Sequence, residues 1–208
     1  MLKRIDQMEE TKNLYLPGDE IKEKITSNGI ATRVENGKVY ANVIGVVSNN
    51  TFKPFELAYS ANINDLIVGI VYDKKPNVIF VDTGTSYTGI IQAKTLRTEI
   101  RQGNIISARV AKIEESDILL TDVVVLNKKP GIIFNIPPSK VPRIIGRDAT
   151  MINIIKRTTK CDIIVGMNGM IWVTGDNIIK AKKAIDFITT RAHLEGLTAK
   201  VEEMLKKC

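Results

Sequence analysis

The chain has 208 residues, enough for two or three small domains with modest cores and too few for a large barrel. Its 44% hydrophobic and 25% charged residues are globular values that exclude a disordered chain. Two Cys and one His are too few for a zinc module or a disulfide framework, so a reducing compartment, no metal and no cofactor are expected.

The elements follow in chain order. Pro17-Gly18-Asp19 reads as a turn, and residues 20–26 read as a short polar-rich strand. Asn36-Gly37 lies between residues 31–35 and 38–43 and predicts a hairpin, because Asn-Gly tolerates the positive φ angles of a type I′ turn. The polar run Ser48-Asn49-Asn50-Thr51 is expected to end a strand or loop. Strands then recur near 66–72, 78–82, 88–92, 104–113 and 117–125, with one helical or irregular segment near 93–100. Five short strands in so little chain suit a closed Greek-key barrel, which leaves no exposed edge.

The period changes after residue 128. A strand is predicted over 131–136, ended by Pro137-Pro138, then a short helix from Ser139 to Ile145. After Gly146 a second helix is expected from Asp148 to about Thr159, then strands at 161–165 and 170–174 joined by Gly166-Met167-Asn168-Gly169. A long helix from about 176 to 194 and a trailing helix over 197–208 complete the order β-α-α-β-β-α.

The net charge of +7 is one-sided. Residues 1–127 hold 15 Lys+Arg against 16 Asp+Glu, and residues 128–208 hold 15 against 7. Such a field attracts polyanions. A well-solvated surface gives the same count, and acidic lipid calls for a basic helix with exposed aromatics, whereas aromatics make up 5% of the chain. The 31 Ile against 12 Leu suit strands, as they also suit AT-rich coding. No stretch approaches about 20 apolar residues, and Met1-Leu2-Lys3-Arg4-Ile5-Asp6 lacks the apolar run of a signal peptide. A cytoplasmic protein without a membrane partner is expected.

Three segments carry a resemblance. The order β-α-α-β-β-α with Gly146-Arg147-Asp148-Ala149 between its two central helices resembles a type I KH domain, whose G-x-x-G loop clamps a single-stranded backbone. Here Ala149 stands at the second Gly, and Asp148 puts an acid in the loop. Val78-Ile79-Phe80-Val81-Asp82 and Gly89-Ile90-Ile91-Gln92 resemble two strands of the S1 domain, a barrel of the OB-fold class. On that match Phe80 takes the stacking position and Gln92 the position usually held by His, while Asn77 replaces a preceding aromatic. Gly166-Met167-Asn168-Gly169 and the apolar strand after it, with Val141-Pro142-Arg143-Ile144-Ile145-Gly146, resemble the S1/KH cap subunits of the archaeal RNA exosome, homologues of ribosomal-RNA-processing protein four.

That resemblance implies a multidomain β and α+β chain. Residues 1–58 would form a small N-terminal β domain that docks on a ring, 59–127 a five-stranded S1 (OB-fold) barrel, and 128–208 a type I KH domain with a C-terminal helix. It implies a non-catalytic subunit that captures single-stranded 3′ RNA, favours A-rich tails, and threads them into a hexameric ring of RNase PH-like subunits for 3′-to-5′ degradation. Three copies would form the cap. A free-standing S1/KH factor in translation or transcription is the competing reading.

On the KH side the RNA-binding candidates are Lys140, Arg143, Gly146, Arg147, Lys156, Gly166, Asn168 and Gly169. In the S1 region they are Lys74, Lys75, Phe80, Tyr87, Gln92, Lys94, Arg97 and Arg101. Bland roles stay open for several. Gly166, Asn168 and Gly169 suit a tight hairpin needing positive φ, Phe80 suits a barrel wall, and each cation suits a plain surface. His193, the one His, sits on a predicted helix with no nucleophile motif beside it.

Overall fold

The computed structural model describes residues 14–25, 31–48, 50–54, 59–96, 98–191 and 196–207. The chain divides into two compact units, Met1–Leu57 and Ala58–Cys208.

The first unit holds strands β1 (Leu14–Tyr15), β2 (Glu20–Ile21), β3 (Thr32–Glu35), β4 (Lys38–Ala41), β5 (Gly45–Ser48) and β6 (Thr51–Pro54). They pair as two three-stranded sheets, β1–β5–β6 and β2–β4–β3. Asn36 and Gly37 take φ of +52° and +76°, the turn that the Asn-Gly pair predicts between β3 and β4. The polar run at 48–51 ends β5 at Ser48, as expected. It turns β5 into β6, with Asn50 in the left-handed region at φ +55°. Ile21, Ala31, Ala41 and Phe52 form a small core. The strand expected over 20–26 is shorter than predicted, running only from Glu20 to Ile21 among the described residues, and Thr26 lies outside them.

The second unit begins with the barrel: β7 (Leu66–Lys74), β8 (Val78–Asp82), β9 (Thr88–Gln92), β10 (Ile105–Glu114) and β11 (Asp117–Val125). It closes in the order β10–β11–β9–β8–β7, with β9 and β11 parallel and every other pair antiparallel. This is the S1/OB-type barrel, filled by alternate residues such as Ile67, Val71, Ile79, Val81, Ile91 and Ile118.

The KH layer follows with β12 (Gly131–Asn135), α1 (Val141–Ile145), α2 (Thr150–Thr159), β13 (Cys161–Val165), β14 (Met170–Gly175), α3 (Ile178–Thr190) and α4 (Leu197–Lys207). Its sheet is antiparallel in the order β12–β14–β13. Ile171 and Val173 of β14 and Ile163 of β13 face the helices, meeting Ile155, Ile185, Ile188 and Val201 in one core. Helix α2 starts at Thr150 rather than at Asp148, because Asp148 and Ala149 take left-handed φ of +50° and +58°. Helix α3 ends at Thr190, and the expected extension over 192–194 lies outside the described residues.

What joins barrel to KH layer is a second apolar face. Leu66-Ile67-Val68-Gly69-Ile70-Val71 is apolar without alternation, the pattern of a strand covered on both sides. Its inward residues fill the barrel, while Val68 meets Met170 and Trp172 from the far face of β14. Ile70, Ile105, Leu126, Ile133 and Ile164 close the edges of that seam. Burying three such side chains contributes about 5–9 kcal/mol as an upper estimate. Barrel and KH layer therefore hold together as one body.

Candidate nucleic-acid interface

The KH loop is built from Gly146 onward. Gly146 stands at φ +75°, and a Cβ there would lie 2.8 Å from both the Met151 Cβ and the Met151 amide nitrogen. Only glycine lets the chain turn this tightly onto the first turn of α2. Thr150 Oγ1 donates to the Arg147 carbonyl at 2.6 Å and closes the turn. Arg143, in the last turn of α1, and Arg147, in the loop, are both exposed, and Lys140 is half-buried in the turn before α1. Arg143 and Arg147 thus flank the loop, and Lys140 stands at the opposite end of α1. Lys156 stands apart on α2, within 3.4 Å of the Asp162 carboxylate, so part of its charge is already answered.

Ala149 occupies a backbone conformation that costs a residue with a Cβ roughly 1–2 kcal/mol. Ala149→Gly is expected to raise stability by about 1 kcal/mol, or about 2–4 °C in Tm, after the entropy lost by glycine is offset. Thermal denaturation of the two proteins checks this, and an unchanged or lower Tm counts against a strained loop.

The segment Gly166-Met167-Asn168-Gly169 does not belong to that surface. Asn168 is 4% exposed. Its Oδ1 accepts from the Val68 amide at 3.2 Å, and its Nδ2 donates to the Val68 and Thr83 carbonyls, each at 2.7 Å. The Met167 amide donates to the Leu66 carbonyl at 2.8 Å. A Cβ on Gly166 would lie 2.2 Å from Asn168 Oδ1 and 2.7 Å from the Val68 nitrogen. Gly169 alone has positive φ, +87°, so the hairpin reading accounts for that residue and close approach accounts for Gly166. Gly166, Asn168 and Gly169, expected as RNA contacts, are all buried, and the Asn168 side chain is spent on fastening the KH layer to the barrel.

The barrel candidates divide between its two ends. Val78 pairs with Gln92, and the Ala93 amide donates to the Asn77 carbonyl at 2.9 Å. One end therefore gathers Lys74, Lys75, Gln92 and Lys94, with Phe80 on the adjoining strand. Lys74 Nζ donates to the Ile100 carbonyl at 2.9 Å. Lys75 Nζ lies over the Phe80 ring at 5.2 Å. Arg101 makes two bonds of 3.1 Å to the Glu99 carboxylate. Those bonds hold that carboxyl below its usual range. Arg101 is thus a paired cation, and Arg97 lies outside the described residues.

Tyr87 lies at the opposite end, half-buried edge-on against Tyr59 with ring centroids 6.2 Å apart. Burial, then the hydrogen bond donated to Asp65 at 2.8 Å, push the Tyr59 phenol far above its ordinary value. The aromatic that sequence reasoning passed over is Tyr72 on β7, 47% exposed, with its ring centroid 6.1 Å from that of Phe80. Its signal was positional, since Val71 points inward and the next residue therefore points out.

Among the described residues no group of three or more His, Cys, Asp or Glu could hold a metal ion. His193 lies outside the described residues. No helix among the described residues is long and apolar enough to cross a membrane.

A KH domain family profile matches residues 131–179. Exosome complex component Rrp4 of Methanobrevibacter smithii is 33% identical over 213 residues, covering 94% of this chain and 72% of its own. This chain belongs to the Rrp4 family. Rrp4 of Pyrococcus abyssi is 35% identical over 220 residues, with 94% and 83% covered. Rrp4 of Methanothermus fervidus is 30% identical over 211 residues, with 93% and 95% covered. A crystal structure of an exosome complex RNA-binding protein superposes with a TM-score of 0.63 at 25% identity, over 72% of this chain and 95% of that one. Rrp4 relatives thus align with the N-terminal strands, the barrel and the KH layer together, not with the KH segment alone.

Proposed function

We propose that the chain is a non-catalytic, RNA-binding cap subunit of a cytoplasmic exosome. It captures single-stranded 3′ ends, with A-rich tails favoured, and guides them into a hexameric ring of RNase PH-like subunits that carries out the phosphorolysis. Three copies form the cap, and the N-terminal unit, with its near-balanced charge, docks on the ring. The observation that carries this reading is the exposed Arg143–Arg147 pair at the KH loop of an Rrp4-family chain. Basic side chains there position phosphates without reading sequence. The rigid seam supports a guiding role, because a barrel and a KH layer that move as one body can hold two stretches of a strand in fixed register.

Native purification tests the assignment. The protein is expected to co-purify with ring subunits at a mass fitting three copies on a hexamer, and to speed decay of oligoadenylate-tailed RNA by that complex. A protein that neither joins a ring nor changes its activity overturns the cap assignment and favours a free-standing RNA-binding factor.

A further inference from the structure

Strand β7 is irregular where it passes β8. Val71 pairs with Val81, yet the next pair is Asp73 with Phe80, so Tyr72 is an extra residue without a cross-strand partner. Such a bulge re-aims a side chain. Here it sets two residues, Tyr72 and Asp73, against Phe80, and the Tyr72 ring lies beside Phe80 on the outside of the barrel, at a centroid distance of 6.1 Å and an interplanar angle of 40°. Phe80 is half-buried, with Tyr72 on one side, the Lys75 ammonium over its ring at 5.2 Å, and Ile90 as its partner on β9. Tyr72 keeps 47% of its surface exposed.

From this arrangement we infer that Tyr72, buttressed by Phe80, is the surface on which the barrel stacks a nucleobase, and that Lys75 takes the neighbouring phosphate. Phe80 is a positioning residue whose ring is largely enclosed. The site is one base wide: the residues that follow Tyr72 in the chain are the half-buried Asp73 and the exposed Lys74 and Lys75. A stable protein interface needs roughly 800 Å² per partner with an apolar centre, which a single ring among charges does not offer. A base needs only one open π face, and a cation near it complements the phosphate that follows.

This inference rests on the RNA-binding reading above and deepens it. The test measures binding of a 5′-fluorescein oligoadenylate to the full chain by anisotropy across a salt series. Tyr72→Ala is expected to weaken binding about 5- to 150-fold, the range set by one stacked base, with an unchanged salt slope. Tyr72→Phe, which keeps the ring, is expected to bind within about twofold of the unaltered protein. Lys75→Gln is expected to flatten the slope by about 0.7, one phosphate contact.

Photocrosslinking of a 4-thiouridine-substituted oligonucleotide to the unaltered chain, read by peptide mass spectrometry, is expected to label Tyr72, and this holds whether or not Tyr72→Ala folds. Equal affinity of Tyr72→Ala, or crosslinking confined to other strands, overturns the role of Tyr72 while leaving RNA binding in place. Failure of the unaltered chain to bind the oligonucleotide overturns the RNA-binding reading itself, and this role with it.

Discussion

Asn168→Ala is expected to lower the unfolding free energy of the barrel–KH unit by about 3–5 kcal/mol, with a Tm lower by roughly 10 °C. Truncation removes three hydrogen bonds at once and strands the Val68 amide, the Val68 carbonyl and the Thr83 carbonyl in a buried seam. Each buried group left unmatched costs about 1–3 kcal/mol, so the loss exceeds that of a typical surface asparagine several-fold. Asn168→Asp is expected to do no better. Its carboxylate can still accept from the Val68 amide, but it has no protons for the two carbonyls and repels both. Urea denaturation of the three proteins measures the effect. A loss below about 1 kcal/mol for Asn168→Ala contradicts a fastening role. Unchanged stability with a large loss of RNA affinity would instead return the loop to the RNA surface.

Arg143→Glu combined with Arg147→Glu is expected to weaken single-stranded RNA binding about 10- to 100-fold near 0.1 M salt. The slope of log affinity against log salt should flatten by about 1.4, the release of two counterions from a single strand. Neither side chain has an ion pair among the described residues, and both are exposed, so the fold should be retained. Arg101→Glu serves as the control, since its charge is already answered by Glu99. Binding that survives the double reversal would shift the RNA site to the barrel end that carries Lys75 and Tyr72.

The acid in the KH loop tempers this site. Asp148 is exposed beside Arg147, so the loop presents mixed charge where phosphate would approach. Ala149 keeps the left-handed turn that a glycine would adopt freely, so the loop preserves its backbone path with a side chain added to it. On the proposed RNA-binding reading, capture of phosphate there would fall to side chains, Arg143 and Arg147 above all, more than to close main-chain approach.

The element order, the Asn-Gly hairpin, the five barrel strands and the one-sided charge could all be read from the chain alone. Each of these depends on neighbours a few residues apart: alternation, turn chemistry, helical spacing and simple counting. Tertiary structure decided which polar groups remain free for a ligand. Asn168 meets Val68, a hundred residues earlier, and that pairing turns a motif that looked like an RNA contact into the clasp between two layers. The bulge at Tyr72 arises from the register of β7 on β8, and the neutralised Arg101 from its bidentate bond with Glu99. Residue type and local period determine what an element is. Whether its side chains meet solvent, a partner charge or another layer depends on packing between residues far apart in the chain, and local periodicity carries no record of it.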